Sequence, residues 1–210
     1  MTMEKRLTAL FLAAVLLILG GCGKDAAAQI TPAGNLYGAT FSMTLEDLTD
    51  GINNAFDNRY GGLIIDDTLG WTKAGDSKDY YGILVDTWMC TLQAGSDITL
   101  AVNVAVDTGL VEDVMLMIGA DTYTEEKPVF RQAAASLEMA VLPGLSGSKA
   151  EDFYDRMADS LDGDKQYFSG GNTLWDFSAA DNTYMLACHA VSEEYITAKS
   201  SGGVQFGAVG

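Results

Sequence analysis

The residues of this chain that can do chemistry are few, and most of them stand alone. His189 is the sole histidine. It follows Cys188 inside an apolar run that reads as a strand, where neighbouring side chains point to opposite faces, so the two cannot form a thiol–imidazole dyad. Cys90 is the other thiol that could reach His189, and the simpler expectation is a structural or surface histidine. Gly144-Leu145-Ser146-Gly147-Ser148 lacks the last glycine of a G-x-S-x-G elbow and follows a helix rather than a strand, so it reads as a helix–helix turn. No G-x-x-x-x-G-K-[ST] or G-x-G-x-x-G phosphate loop occurs. Zinc sites rich in His and Cys are excluded by count.

Carboxylates are abundant but unmotivated. Asp66 with Asp67, and Asp159, Asp162 and Asp164 around Gly163, cluster without matching the spacing of a calcium loop. The second cluster reads as a solvated helix terminus, with weak calcium binding as its alternative. A carboxylate pair for glycoside cleavage need not be close in sequence, and none is singled out. Trp71, Trp88 and Trp175, with several tyrosines, could line a groove on an open sheet face. Trp175 is the tryptophan placed for a ligand, because a Gly/Asn-rich loop is expected around it, though pinning that loop is the other role open to it. No catalytic residue, metal site or cofactor emerges.

The chain has 210 residues, with 12 Lys+Arg against 29 Asp+Glu and a formal net charge of -17. Without a basic stripe, nucleic acid is excluded as a partner; the charge suits solubility, cations or basic partners.

The elements that must position these residues follow from periodicity. Thr44 can cap a helix over residues 43–56, with Leu45, Leu48, Ile52 and Phe56 on one stripe; Gly51 weakens it. Residues 80–93, 98–106 and 110–118 read as a three-stranded meander, with Asp107-Thr108-Gly109 as a hairpin loop. A helix over 125–142 carries Phe130, Ala133, Ala134, Leu137 and Val141 on one face. A third helix starts at a Ser148/Glu151 capping box and stops at Gly163. Residues 164–181 read as loop and 183–192 as a last strand. The expected fold is α+β: an antiparallel meander of four to five strands with three helices packed mainly on one face.

At the N-terminus, Lys5 and Arg6 precede an apolar run from Leu7 to Leu19, too short for a bilayer-spanning helix and right for an export signal. Leu19-Gly20-Gly21-Cys22 follows, and it resembles the lipobox of bacterial lipoproteins. The resemblance implies cleavage before Cys22, lipidation of its thiol, and an extracytoplasmic domain held on a membrane by its N-terminal lipid anchor. With Gly23 rather than Asp next, it implies the outer membrane in a diderm host. The domain organisation expected is a signal at 1–21, a flexible tether at 22–35, one α+β domain at 36–199 and a loose Gly-rich tail at 200–210, in which Val204 to Val209 could add a short edge strand.

Removal of the first 21 residues takes Glu4, Lys5 and Arg6, leaving 10 basic residues against 28 acidic ones. Once Cys22 is acylated, Cys90 and Cys188 are the remaining pair, and outside the cytoplasm they can form a disulfide; two buried free thiols are the alternative. The order of elements also resembles that of small α+β lipoprotein domains, including inhibitor-like and envelope-assembly modules. The function expected is that of a non-enzymatic binding or protein-interaction module of the cell envelope, for an unidentified protein or small ligand. The alternatives are an envelope hydrolase using a carboxylate pair and a purely structural envelope component.

Overall fold

The computed structural model describes residues 27–33, 38–66, 70–92, 97–162 and 166–209. The signal, Cys22, Asp67 and the turn Gly163-Asp164 lie outside them. The described residues form an α+β fold of four helices and a large, mainly antiparallel sheet.

A short pair, β1 (Ile30–Pro32) and β2 (Ala39–Phe41), precedes helix α1 (Leu45–Tyr60). Thr44 caps α1 as expected: its hydroxyl accepts from the Asp47 N–H, and its own N–H donates to the Asp47 carboxylate at 2.9 Å. The stripe Leu48, Ile52 and Phe56 is buried. Gly51, a weak helix former, has a packing reason: a Cβ there would stand 3.1 Å from Ala140 Cβ on the neighbouring helix. The glycine lets the two helices cross closely, and that burial offsets its low propensity.

The strands β3 (Thr72–Lys73), β4 (Lys78–Tyr80), β5 (Ile83–Thr91), β6 (Thr99–Ala105) and β7 (Val111–Gly119) come next. Then follow α2 (Ala120–Val141), α3 (Gly147–Asp159) and a 3-10 turn, Ser160–Asp162. The chain finishes with β8 (Tyr167–Gly170), β9 (Thr173–Ala180), β10 (Thr183–Ala190), α4 (Glu193–Ser201) and β11 (Phe206–Ala208). The main sheet has nine strands in the order β11-β8-β9-β10-β7-β6-β5-β3, with β4 also on the outer edge of β5; only the β11–β8 pair is parallel.

The expected sheet of four to five strands was too small because tight turns went unseen: two lie in or beside the stretch read as loop, and Tyr81-Gly82 lies inside the run 80–93 read as one strand. Gly171-Asn172 joins β8 to β9, Asp181-Asn182 joins β9 to β10, and Tyr81-Gly82 joins β4 to β5. Both residues of each turn have positive φ. Two such residues between directly paired strands match the twist of a hairpin, so a stretch expected as loop becomes two strands. Within the tail, the short edge strand left open for residues 204–209 forms as β11, which is admitted beside β8 because Gly207 leaves room for the Phe168 ring.

Helices α1, α2 and α3 cover one face of the sheet, burying Leu100, Val102, Val114, Leu116, Phe177 and Leu186 beneath Phe130, Leu137 and Phe153. Helix α2 starts five residues before the expected position because its first turn is docked. The Tyr123 ring stacks on Tyr184 at 4.1 Å, and its hydroxyl lies 2.8 Å from that of Tyr154. The capping box expected at Ser148 and Glu151 does not form. The N-cap is Ser146, and Glu151 instead takes Arg59 at 2.6 Å and Arg131 at 2.8 Å, tying the three helices together. Charge-assisted bonds to two guanidinium groups outweigh one cap bond. They hold the Glu151 carboxyl at about 2, with the Arg59 hydrogen bond the largest cause.

Candidate functional site

The opposite face of the sheet is not covered by α1, α2 or α3, and Glu112 and Asp176 line a cavity there. Alternation alone would send Glu112 and Asp113 to opposite faces. Register prevents this: Asn103 pairs with Asp113 and Val104 with Val111, so Glu112 is the extra residue of a β-bulge. A bulge puts two consecutive side chains on one side of a strand. Next door, β10 sets His189 directly across from Asp113, and β9 sets Asp176 across from Ala187.

Glu112, Asp113 and His189 thus present one donor atom each within 4.8 Å of one another. Nδ1 of His189 lies 3.5 Å from Oδ2 of Asp113. The two acids are 2% and 1% exposed, yet Glu112 Oε2 and Asp113 Oδ1 have no hydrogen-bond partner. The Tyr80 ring lies parallel to His189 at 6.3 Å.

Tyr80, Glu112 and His189 line a cavity of about 440 Å³, and Asp113 is buried beside His189 behind that lining. Its walls are Tyr80 and Tyr81 from the β4–β5 turn, Tyr167 and Leu174 from β8 and β9, Tyr195 and Lys199 from α4, and Val204 and Phe206 from the C-terminal segment. Met115, Met185 and Ala187 complete its floor. Size and lining suit a small ligand held by apolar walls around a polar centre.

Burial first, and then the Asp113 charge, push the Glu112 carboxyl above its ordinary range, and it hydrogen-bonds Asp113. Burial, followed by the charges of Asp113 and Glu112, raises the Tyr80 hydroxyl as well. Both shifts follow from burying two adjacent acids beneath aromatic rings.

The residues singled out from sequence fall elsewhere. Trp175 is not a loop aromatic: it lies in β9, fully buried on the helix-covered face, because the Gly171-Asn172 turn makes this stretch a strand. The open-face cavity is lined by tyrosines, and none of the three tryptophans touches it. Asp66 and Asp159 lie outside it too, and Ser146 is the N-cap of α3.

Cys188 faces the helices, opposite to His189, as strand alternation requires. Cys90 and Cys188 are free and buried, which corrects the expected disulfide. They sit on β5 and β10, separated by β6 and β7, or ~14 Å at the usual strand spacing. A disulfide needs its Cα atoms within about 7 Å. Burial pushes the Cys90 thiol up to about 12 and Cys188 well above its ordinary value. In a Cys22→Ala chain, a thiol reagent should therefore find both thiols only after unfolding. A native mass lower by two hydrogens would contradict this geometry.

No family model, curated protein or solved structure matches this chain significantly. The cavity must be read on its chemistry.

Proposed function

We propose that this protein is a membrane-anchored, extracytoplasmic binding lipoprotein whose open-face cavity takes a small ligand with a cationic centre. The observation that carries the reading is the pair Glu112 and Asp113, buried with unpartnered oxygens beneath tyrosine walls. Buried carboxyl oxygens are costly unless something satisfies them, and aromatic rings around an acidic floor favour positive charge. Support for the anchor comes from residues 1–22, with Cys22 as the lipid-bearing residue. Among the described residues no helix is long and apolar enough to cross a membrane.

A hydrolase working through its carboxylates is the less favoured reading. Glu112 and Asp113 hydrogen-bond each other, whereas a glycosidase pair stands apart on either side of the bond it breaks. The thiols lie on the other face of the sheet.

Two measurements on protein purified in detergent from the membrane fraction test the proposal. Intact mass should correspond to residues 22–210 plus acyl chains, and a Cys22→Ala chain should lose the acyl mass. Ligand-observed NMR with butylammonium and with butanol should show saturation transfer to the amine. Loss of a charged partner in Asp113→Asn should weaken amine binding roughly tenfold. Equal transfer to both probes, unchanged by the substitution, would overturn the cationic reading; an unacylated native mass would overturn the anchor.

A further inference from the structure

We infer that the floor of this cavity is a divalent metal site in which Glu112, Asp113 and His189 are the protein ligands. The inference rests on the reading of the cavity as a cation site: in the metal-free chain the carboxyl oxygens are open to an amine, and a bound metal ion competes for them. Two observations converge on it. The bulge in β7 and the register of β10 bring two carboxyl groups and one imidazole to a single point, each with a donor atom within 4.8 Å of the others. Two ligands bound ~2.1 Å from one ion, at the angles of a tetrahedral or octahedral shell, are themselves ~3–3.5 Å apart. Asp113 Oδ2 and His189 Nδ1 already stand at 3.5 Å, so these two groups need little movement to share an ion.

The second observation is independent of the clustering. Glu112 Oε2 and Asp113 Oδ1 are buried and unpartnered, on side chains 2% and 1% exposed. Such oxygens need a donor or a cation, and a metal ion satisfies both at once.

The donor set selects the ion. One imidazole nitrogen with carboxylate oxygens suits Mn²⁺ or Zn²⁺; calcium takes oxygen ligands alone, and ions that demand thiolate are excluded because both cysteines of the domain face the helices. The ion's remaining positions would open into the cavity, where water or a ligand atom can complete the shell.

The test uses the full chain in detergent, stripped with EDTA and freed of it, titrated with Mn²⁺ and followed by the paramagnetic resonance of the free ion, then challenged with Zn²⁺. One Mn²⁺ per chain should bind and be displaced by Zn²⁺. Loss even of groups that only support ligands typically weakens metal sites 10–100-fold, so Asp113→Asn and His189→Gln should each weaken binding at least ~tenfold. Asp107→Asn, on an exposed turn of the same acidic protein, should change nothing and controls for diffuse counterion binding. Mn²⁺ binding that is equal in all four proteins, or absent from a wild-type chain with an intact melting transition, overturns the metal site. Absent Mn²⁺ binding with retained butylammonium binding overturns the metal and leaves the cavity reading standing; loss of both overturns both.

Discussion

Trp175→Ala should cost about 3–5 kcal/mol of stability, lowering Tm by roughly 6–20 °C. Trp175 is the largest side chain that the fold buries completely. Its ring meets Phe153 of α3 edge-on at 5.8 Å, and its indole N–H donates to Thr173 Oγ1 at 2.7 Å. Truncation leaves a cavity between the sheet and α3 that rigid strands cannot close, and it removes the indole's bond to Thr173 Oγ1, whose hydroxyl still donates to the Gly170 carbonyl at 2.7 Å. Trp175→Phe should lose much less, because the packing survives and only the indole's hydrogen bond is removed. Thermal melts of both variants check the magnitude. A ligand-binding tryptophan would behave in the opposite way, with stability nearly unchanged and amine or metal binding lost. Since the cavity lies across the sheet from Trp175, binding to folded Trp175→Phe should match wild type.

The reason Trp175 misled is also the reason the sheet was underestimated. Gly, Ser and Asn between residues 164 and 181 carry two meanings, loop or tight hairpin. Gly171-Asn172 and Asp181-Asn182 are both two-residue sequences that tolerate positive φ. Seen as hairpin turns, they leave Thr173–Ala180 between them as a strand of ordinary length. Elements fixed by local rules were legible: the Thr44 cap, the buried stripes of α1 and α2, and the turn at Gly109, where φ is +70°. Glu151 shows where local rules stop. Its spacing from Ser148 fits a capping box, but two arginines distant in sequence compete for the same carboxylate.

The site was hidden for a more specific reason. Strand alternation places Glu112 and Asp113 back to back, and only a bulge, set by how β7 meets β6, turns them to one side. The available signal was compositional. Glu112-Asp113 interrupts the apolar run that continues from Val114 to Ile118, and His189 interrupts Leu186-Ala187-Cys188. Polar groups inside strands that otherwise read as core mark either a solvated face or a site. Which one applies depends on the α4 wall and the C-terminal segment that roof this part of the sheet, and those are tertiary facts.

Glu138→Met should stabilise the protein at pH 8 by about 2 kcal/mol, or about 4–8 °C in Tm, and should flatten its stability profile between pH 5 and 8. Glu138 lies in the middle helix of the helical layer, 0% exposed, and neither carboxyl oxygen has a hydrogen-bond partner. Burial drives its carboxyl well above the ordinary range; attraction to Arg156 and Arg131 opposes this weakly, and Asp155 adds to it. The folded chain therefore keeps a proton that the unfolded chain releases above its ordinary value of 4.5. Proton linkage then fixes the sign: this contribution is fully present below pH 4.5 and declines as pH rises towards the folded value. Glu112 acts in the same direction. Glu151 acts in the opposite one, because its lowered carboxyl contributes above the ordinary value and loses that contribution as pH falls through about 2. Wild-type stability should thus peak on the acidic side of neutrality, bounded above by two buried acids and below by the Glu151 network. Methionine matches the length of Glu138, fills the same space and has nothing to ionise, so chemical denaturation of both proteins at pH 5 and pH 8 isolates its share. An equal loss of stability with rising pH in both proteins would show that Glu138 is charged and partnered in the folded state, and a destabilised variant at pH 8 would show that its carboxylate contributes to the core.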